Sequence, residues 1–522
     1  MIITSLPYAL AALVVVGLVY PIVAYLVDRH GLRKYPAPGP AGIAAFTPLW
    51  QMYYNYFGVK YLAVDHVHKQ LGPVVRLGPK HVSFSSPQAF REIYGHGTSI
   101  IKDTFYDNQA GGNPNMADVT NKEVHRGKRK NLSFVFAAKQ IIAMEPRVMA
   151  IVEKLLKAVA VKSQGGRVSS QDRFVVSEDG VFDIRPWLNM FSYDAITNIF
   201  WSKTYGFLDR GDDDCLAQNP DGTVQSVHAM QTFHTGAAWS VFLGHLTPFW
   251  YGFFKRQLLS WTFRNKCGDN FTGMARYLAT QRLQNPPSEP DLFSNLPVTA
   301  SAKRPDPMSM EEIIAESSVM LNAGNDTTQS SLTNTVYYLA KNSDKQAKLR
   351  NILKESLPAA SIPVASYEQL QHIPYLRACI DESFRMHAPL GTGAPRLTTE
   401  PTVIDGEQIP AGVTVSNQTW SLHRNEILFR DALSYIPERW LPENPDFTDE
   451  ERQNLKDFVA PFSMGPRACI GRNLAYMELS ICIASLVMAF DWELGQKDYV
   501  LKYHERFNCN PIELPIKATP LL

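Results

Sequence analysis

Phe462-Ser-Met-Gly465-Pro-Arg467-Ala-Cys469-Ile-Gly471 is the stretch from which the rest of the chain can be read. It sets one cysteine between two glycines, after a loop carrying a basic residue. An apolar run, Asn473 to Phe490, follows at once; it is hydrophobic almost all round and so predicts a buried helix. A cysteine at the entrance to such a helix lies near free backbone N–H groups and the positive end of the helix dipole, and both favour thiolate over thiol. The glycines let backbone approach something flat and bulky, and Arg467 can pair with an anion belonging to it. A thiolate, a close-approach loop and a cation together point to a haem iron with a cysteine axial ligand. A free structural cysteine is the other reading of the same residue.

The pattern Phe-x-x-Gly-x-Arg-x-Cys-x-Gly resembles the haem-binding signature of the cytochrome P450 monooxygenases, and Phe462, Gly465, Arg467, Cys469 and Gly471 meet every fixed position. The resemblance implies haem b with Cys469 as the thiolate ligand of the iron and Phe462, Arg467 and Gly471 around the cofactor. It also implies a mainly α fold, with a long central helix over the haem and small peripheral β-sheets.

That long helix is visible in the sequence. Ser309-Met-Glu-Glu312 is a capping box, and the helix it opens runs to about Lys341, in whose middle stands Ala323-Gly-Asn-Asp326-Thr327-Thr328. Glycine and adjacent threonines are poor choices for a helix centre, so the segment reads as strained or functional. A threonine hydroxyl bonding back to the helix backbone opens a groove, and small neighbours leave room for a diatomic ligand. The segment resembles the family's oxygen-activation motif. By that resemblance Thr327 donates a hydrogen bond to the dioxygen and Asp326 relays protons. A helix whose polar residues are merely solvated is the competing reading.

Two further motifs follow in the family's order. Glu382-Ser-Phe-Arg385 on a helix of spacing Leu376, Ile380, Phe384 would ordinarily be a surface pair. The resemblance makes it a buried scaffold, completed by Arg439 of Pro437-Glu-Arg-Trp440, where tryptophan replaces the usual phenylalanine. His125 and Arg129 share a helix face four residues apart. The resemblance turns that face to a haem propionate, with histidine where many members carry tryptophan, and leaves Arg126, Lys128 and Lys130 to the surface or the reductase. Arg396 resembles the family's propionate-binding arginine. His423 is a weaker candidate, and Phe507 to Pro511 a second pocket loop. Lys102 to Thr120 reads as a loop roofing the site, with Phe105 and Tyr106 as candidates.

Composition sets the outer bounds. Across 522 residues the formal net charge is +1, which excludes bulk nucleic-acid binding, and 45% hydrophobic content is ample for a large core. Six cysteines without a CxxC indicate neither a disulfide framework nor a zinc site. Residues 1–27 carry no charge and are long enough to span a bilayer, so they read as a transmembrane anchor. Residues 28–42 form a basic and proline-rich hinge, and residues 43–522 the catalytic domain. Arg29, Arg33 and Lys34 after the apolar run place that domain in the cytosol, on the endoplasmic reticulum. Met230 to Thr272 reads as helical with its aromatics in the core, and Asp212-Asp-Asp214 as a solvated loop.

The chain holds no flavin or iron–sulfur module, so the resemblance implies an NADPH-cytochrome P450 reductase as electron donor, O2 as co-substrate and a small hydrophobic or aromatic substrate. Tyr94-Gly-His-Gly97, Lys102-Asp-Thr-Phe-Tyr-Asp107 and His125-Arg-Gly-Lys-Arg-Lys130 resemble the fungal benzoate 4-monooxygenase-like branch. Polyketide or terpenoid tailoring in secondary metabolism stands beside aromatic-acid hydroxylation. A benzoate would need a cation in the pocket, and neither Leu390 to Ala394 nor the residues before Ala323 supply one.

Overall fold

Helices carry most of the chain, and the computed structural model describes residue 17 and residues 19–110, 113–299 and 307–521. The principal elements open with α1 (Lys60–Leu71), β1 (Val74–Gly78), β2 (His81–Phe84) and α2 (Pro87–Tyr94). They continue with β3 (Ile101–Lys102), α3 (Phe105–Gln109), α4 (Lys122–Val135), α5 (Glu145–Ser163) and α6 (Arg185–Trp201). A hairpin of β4 (Asp214–Gln218) and β5 (Val224–His228) leads to α7 (Ala229–Gly244), α8 (Phe263–Gln284), the long α9 (Met310–Lys341), α10 (Ser343–Ser356) and α11 (Pro374–Met386). The C-terminal part contains β6 (Arg396–Leu397), β7 (Thr402–Ile404), β8 (Glu407–Ile409), β9 (Thr414–Asn417) and α12 (Arg472–Ala489). It closes with β10 (Phe490–Leu494), β11 (Tyr503–Arg506), β12 (Asn508–Pro511) and β13 (Pro515–Pro520).

The frame of the molecule is α9 packed between α6 and α12. Ser309 starts α9 as a reciprocal cap: its hydroxyl accepts from the Glu312 N–H at 3.2 Å while its own N–H donates to the Glu312 carboxylate at 3.3 Å. The 32 residues of α9 reach about 48 Å, enough to cross the domain. It lies tight on α6, because a Cβ on Gly324 would come within 2.6 Å of Ile196. Gly324 is therefore a packing residue, and it does not provide the groove for a diatomic ligand that its small size suggested. On α12, Met477, Leu479, Ile481, Cys482, Ile483 and Leu486 are fully buried. Each large apolar side chain among them contributes about 1.5–3 kcal/mol of burial.

The five-stranded sheet has the order β1-β2-β9-β6-β3. β9 runs parallel to β2, with Thr414 opposite His81, and antiparallel to β6, with Thr414 opposite Leu397. The segment from Ile409 to Val415 is thus a turn between two sheets; the hairpin lies earlier, where Thr402 faces Ile409 across β7 and β8. At the sheet's far edge Lys102 stands directly opposite Arg396.

Several surface expectations are revised. The Asp212 to Asp214 run is not a solvated loop, since Asp212 and Asp213 are buried, Arg210 pairs with Asp212 at 2.9 Å, and Asp213 pairs with Arg173 and accepts from the Met230 N–H at 2.6 Å. The aromatics after α7 divide: Phe249 is 71% exposed and Trp261 73%, whereas Tyr251 and Phe271 are buried. The hinge residues are held to the domain. Leu32 and Tyr35 are buried, and Lys34 and Tyr35 both reach Glu407 on β8, at 2.6 and 2.8 Å. Of the expected anchor, residues 1–16 and 18 lie outside the described residues, and residues 19–27 are helical with Tyr20, Leu26 and Val27 exposed. Among the described residues the one helix long and apolar enough to cross a membrane is α12, which is 83% buried inside the fold.

Candidate active site

The cysteine loop closes on itself before α12 begins: the Cys469 N–H donates to the Phe462 carbonyl at 2.8 Å. Phe462 packs its ring on Phe384 of α11 at 5.3 Å and on Tyr476 of α12 at 5.1 Å. Gly465 has φ +68°, and a Cβ there would stand 2.6 Å from the Tyr94 carbonyl. Gly471 is free of such constraint; a Cβ there would meet only the Cys469 sulfur at 3.9 Å, so its smallness keeps open the space in front of the thiol. Cys469 is exposed, whereas the other five cysteines are buried. Burial pushes the thiol up, against the opposing pull of the Gly471 N–H and Arg129. The Gly471 N–H and Arg129 act in the direction expected at the helix entrance, and a metal cation at the sulfur would add to them.

Cations crowd the same space. α4, capped by the Asn121 side chain, presents His125 and Arg129. Arg129 donates to the Ala468 carbonyl at 2.7 Å and Arg467 to the Val119 carbonyl at 2.8 Å. Arg396 lies over the Tyr94 ring at 5.1 Å. Among the described residues, none of Arg129, Arg396 and Arg467 has a carboxylate within ion-pairing distance, so they press on one another. Burial, then Arg396 and Arg129, push Arg467 down to about 10. Burial, then Arg467, Arg129 and Lys102, push His125 down to about 4, so it is neutral at physiological pH. Lys102 stands opposite Arg396, and burial, then Arg396, push its ammonium well below the usual lysine range. This excess of positive charge suits a group that brings carboxylates, as a haem does.

The neighbours sort differently. Arg126 pairs with Glu123 at 2.7 Å on the exposed face of α4, and Lys130 is exposed, as expected. Lys128 is not a surface residue. It reaches Glu316 of α9 at 3.0 Å, which is 1% exposed, and ties the two helices together. His423 is buried and remote from the cation group, its carbonyl accepting from Arg385 at 2.9 Å.

α9 is buried on most of its surface, but Ala323 is exposed and Thr327 half-buried on one face. The Thr327 hydroxyl donates to the Ala323 carbonyl at 2.8 Å, the back-bond expected from the sequence. Asp326 is 1% exposed; its Oδ2 accepts from the Asn508 and Asn510 amides of β12 at 2.9 and 3.1 Å. Its Oδ1 has no partner and lies 4.0 Å from Nε2 of His234. Ala323, Asp326, Thr327, Lys102 and Arg506 line a cavity of about 1110 Å³. A second cavity of about 920 Å³ lies toward the N-terminal helix, and Phe105, Val241 and Phe507 border both. Phe105 and Tyr106, candidates from the roof segment, are thus at the site, though as part of α3 rather than of a loop.

Beneath the cysteine loop, Glu382 receives five donors. Arg385 reaches it at 2.9 and 2.8 Å, Arg439 at 3.0 Å, the Trp440 indole at 2.9 Å and the Ile436 N–H at 3.0 Å. The guanidiniums continue to the carbonyls of Ala432 and Arg430, at 2.7 and 2.9 Å, so the loop before Pro437 is clamped to α11. Tryptophan in place of the usual phenylalanine adds a donor. Trp440→Phe should cost about 1.5–3 kcal/mol, the worth of a hydrogen bond to a charged group. The expected result is a lower melting temperature with haem retained.

A family model described as cytochrome P450 matches residues 38–517. The chain is a cytochrome P450. Benzoate 4-monooxygenase bphA of Aspergillus niger is 29% identical over 95% of this chain and 94% of its own length. Tryprostatin B 6-hydroxylase of Neosartorya fischeri is 28% identical over 97% of this chain and 85% of its own. In fold, the P450 resembles retinoic acid-bound cyanobacterial CYP120A1 at a TM-score of 0.67, with 22% identity over 87% of this chain and 93% of that one. The family makes the protein an oxidoreductase with haem held through a cysteine thiolate, and Cys469 is the cysteine in the matching loop.

Sequence reading missed Lys102, Arg185, His234 and Arg506 as site residues. The first reaches the site through a two-residue strand. The other three come from α6, α7 and the β11–β12 turn, and no spacing along the chain relates them.

Proposed function

We propose that this P450 is a membrane-anchored monooxygenase that oxidises a small aromatic or polyketide-derived molecule in fungal secondary metabolism. One atom of O2 enters a C–H bond of the substrate and the other leaves as water. Two electrons from NADPH arrive through a cytochrome P450 reductase, and two protons are consumed. The observation that carries the reading is the pair Ala323 and Thr327, which line the cavity from the middle of α9 and are backed by a buried Asp326.

When bound, haem supplies the redox chemistry at oxygen. This chain's residues do the rest. Cys469 would hold the iron through its sulfur, Phe462 and Gly471 shape the loop and the space before it, and Arg129, Arg396, Arg467 and His125 would hold the propionates. Thr327 holds a transferable proton on Oγ1, parked on the Ala323 carbonyl. Asp326, steadied by Asn508 and Asn510, offers the unpartnered Oδ1 as a station for protons. Phe105 and Phe507 exclude water between the two cavities.

Membrane anchoring on the cytosolic face of the endoplasmic reticulum is supported by the uncharged residues 1–27 followed by Arg29, Arg33 and Lys34. Exposed Phe249, Trp261 and Phe263 at 71%, 73% and 60% supply an apolar surface to lie against lipid. The second cavity opens between residues 20–28 and Trp250, which suits entry of an apolar substrate from that side. Hydroxylation of an aromatic acid is the second reading, favoured by the cation Arg506 in the cavity; terpenoid tailoring is a third.

Full-length protein in membranes with reductase and NADPH, offered small aromatic acids, polyketides and terpenes, should give a haem spin-state shift and a product heavier by one oxygen with one class. No shift and no oxygenated product with any class would overturn the reading.

A further inference from the structure

Arg506 closes β11, and Asn508, its cross-strand partner, opens β12. The single residue between them, Phe507, has φ +77°, a left-handed conformation that a bulky side chain adopts at a cost of about 1–3 kcal/mol. That tight turn sets residues 506 and 508 on one face, toward α9. Asn508 reaches Asp326 at 2.9 Å. Arg506 reaches no one: its Nε and Nη2 are enclosed without a hydrogen-bond partner.

The charges around it do not balance. Asp326 is the nearest carboxylate, but its Oδ2 is taken by two asparagine amides and it makes no ion pair with Arg506. Arg185 of α6 adds a second buried guanidinium, which donates to His234 at 3.0 Å and has an unpartnered Nε. Asp183 beside it already accepts the Leu514 and Arg185 N–H groups, at 2.8 and 3.0 Å. Burial, then Arg506 and Arg185, keep His234 neutral, and burial and Arg506 push His504 down to about 4. Despite Asp326, burial and Arg185 push Arg506 down to about 10, which leaves it cationic at neutral pH. A guanidinium enclosed without a hydrogen-bonded anion is costly to keep, and the natural complement of its fork is a carboxylate.

We infer that the substrate carries a carboxylate that seats on Arg506 at the polar end of the 1110 Å³ cavity, with its hydrocarbon body lying along Phe233, Ala237 and Val241 toward Ala323 and Thr327. This deepens the monooxygenase reading and rests on it. The other cations on the cavity wall are engaged: Lys102 with the Ala117 carbonyl and the Tyr106 ring, Lys255 with the Tyr251 hydroxyl at 2.8 Å, and Arg276 with the Gln218 carbonyl at 3.1 Å. The sequence supplied no cation for an acidic substrate near Leu390 or before Ala323; the hairpin turn at residue 506 does.

The test uses haem-loaded full-length protein and matched pairs: benzoic, 2-naphthoic and dodecanoic acids against their methyl esters. Affinities are measured by spin-shift titration and by calorimetry. At least one acid should bind 30-fold or more tighter than its ester, and Arg506→Gln should bring that ratio within threefold while Arg506→Lys keeps part of it. Haem content and the carbon monoxide difference spectrum of each variant control for folding. If no acid outbinds its ester, or if the ratio survives Arg506→Gln, the inference is wrong. A merely structural Arg506 would lower stability and leave the acid-to-ester ratio unchanged. Reductase-supported turnover is scored separately, so an inactive but acid-selective protein would sink the monooxygenase reading alone.

Discussion

Glu382→Ala should give protein that does not incorporate haem. The carboxylate is fully buried and takes five donors, two of them guanidiniums that are 0% and 2% exposed. Removing it leaves two buried cations, an indole and a backbone N–H unpaired. Breaking a buried pair costs about 3–5 kcal/mol, and each orphaned donor adds about 1–3 kcal/mol. Against a total stability of about 5–15 kcal/mol, that is enough to release the loop between His423 and Arg439. The damage reaches the cysteine because Phe384, two residues after Glu382, supports the Phe462 ring at the start of the cysteine loop. Glu382→Gln keeps the shape and should fail as well, since its amide would point N–H at Arg385. Arg385→Ala should fail in the same way, losing the Ala432 and Ser434 carbonyls together with the carboxylate. The measurement is haem bound per polypeptide after expression with haem precursor. A soluble Glu382→Ala protein with full haem content would refute the scaffold role.

Local motifs were legible where a short stretch does a complete job. The cysteine loop, the capped helix of Ala323 to Thr328, and the Glu-x-x-Arg pair each keep their decisive atoms within a few residues, and one side of each contact could be named from the sequence. The receiving side was less accessible. Lys128 looked like a solvated cation of a basic run because its partner, Glu316, sits 188 residues away on α9. The Asp212 to Asp214 run looked solvated because Arg173 and the start of α7, which neutralise it, are likewise remote. Gly324 looked like room for a ligand, but whether a missing Cβ faces a cavity or a neighbouring helix depends on Ile196 of α6. The pull of the helix entrance on the Cys469 thiol was legible, whereas the opposing cost of burial is something a sequence does not display. Compensation of charge over long separations is the part of this site that only the fold reveals.

Asp326→Asn tests that compensation and the proton route together. An asparagine can still accept both amides of Asn508 and Asn510 on its carbonyl oxygen, so the local shape survives. What disappears is a group that can take up and release a proton at Oδ1, and the one carboxylate acting on both Arg185 and Arg506. Loss of a general acid–base group lowers turnover by about 100-fold, equivalent to about 2.7 kcal/mol of barrier. Loss of the charge destabilises the fold by leaving two guanidiniums uncompensated. The two effects separate in the double variant with Arg506→Gln. Removing one excess cation should restore much of the melting temperature, because the two positions share one electrostatic cluster and are not additive. It should not restore turnover, because no proton station returns. Haem content should stay normal in all three variants, the cluster being remote from the Glu382 clamp. Turnover of Asp326→Asn within threefold of the parent would remove Asp326 from the proton route. Recovery of turnover in the double variant would show instead that the carboxylate acts only as a counter-ion to Arg506.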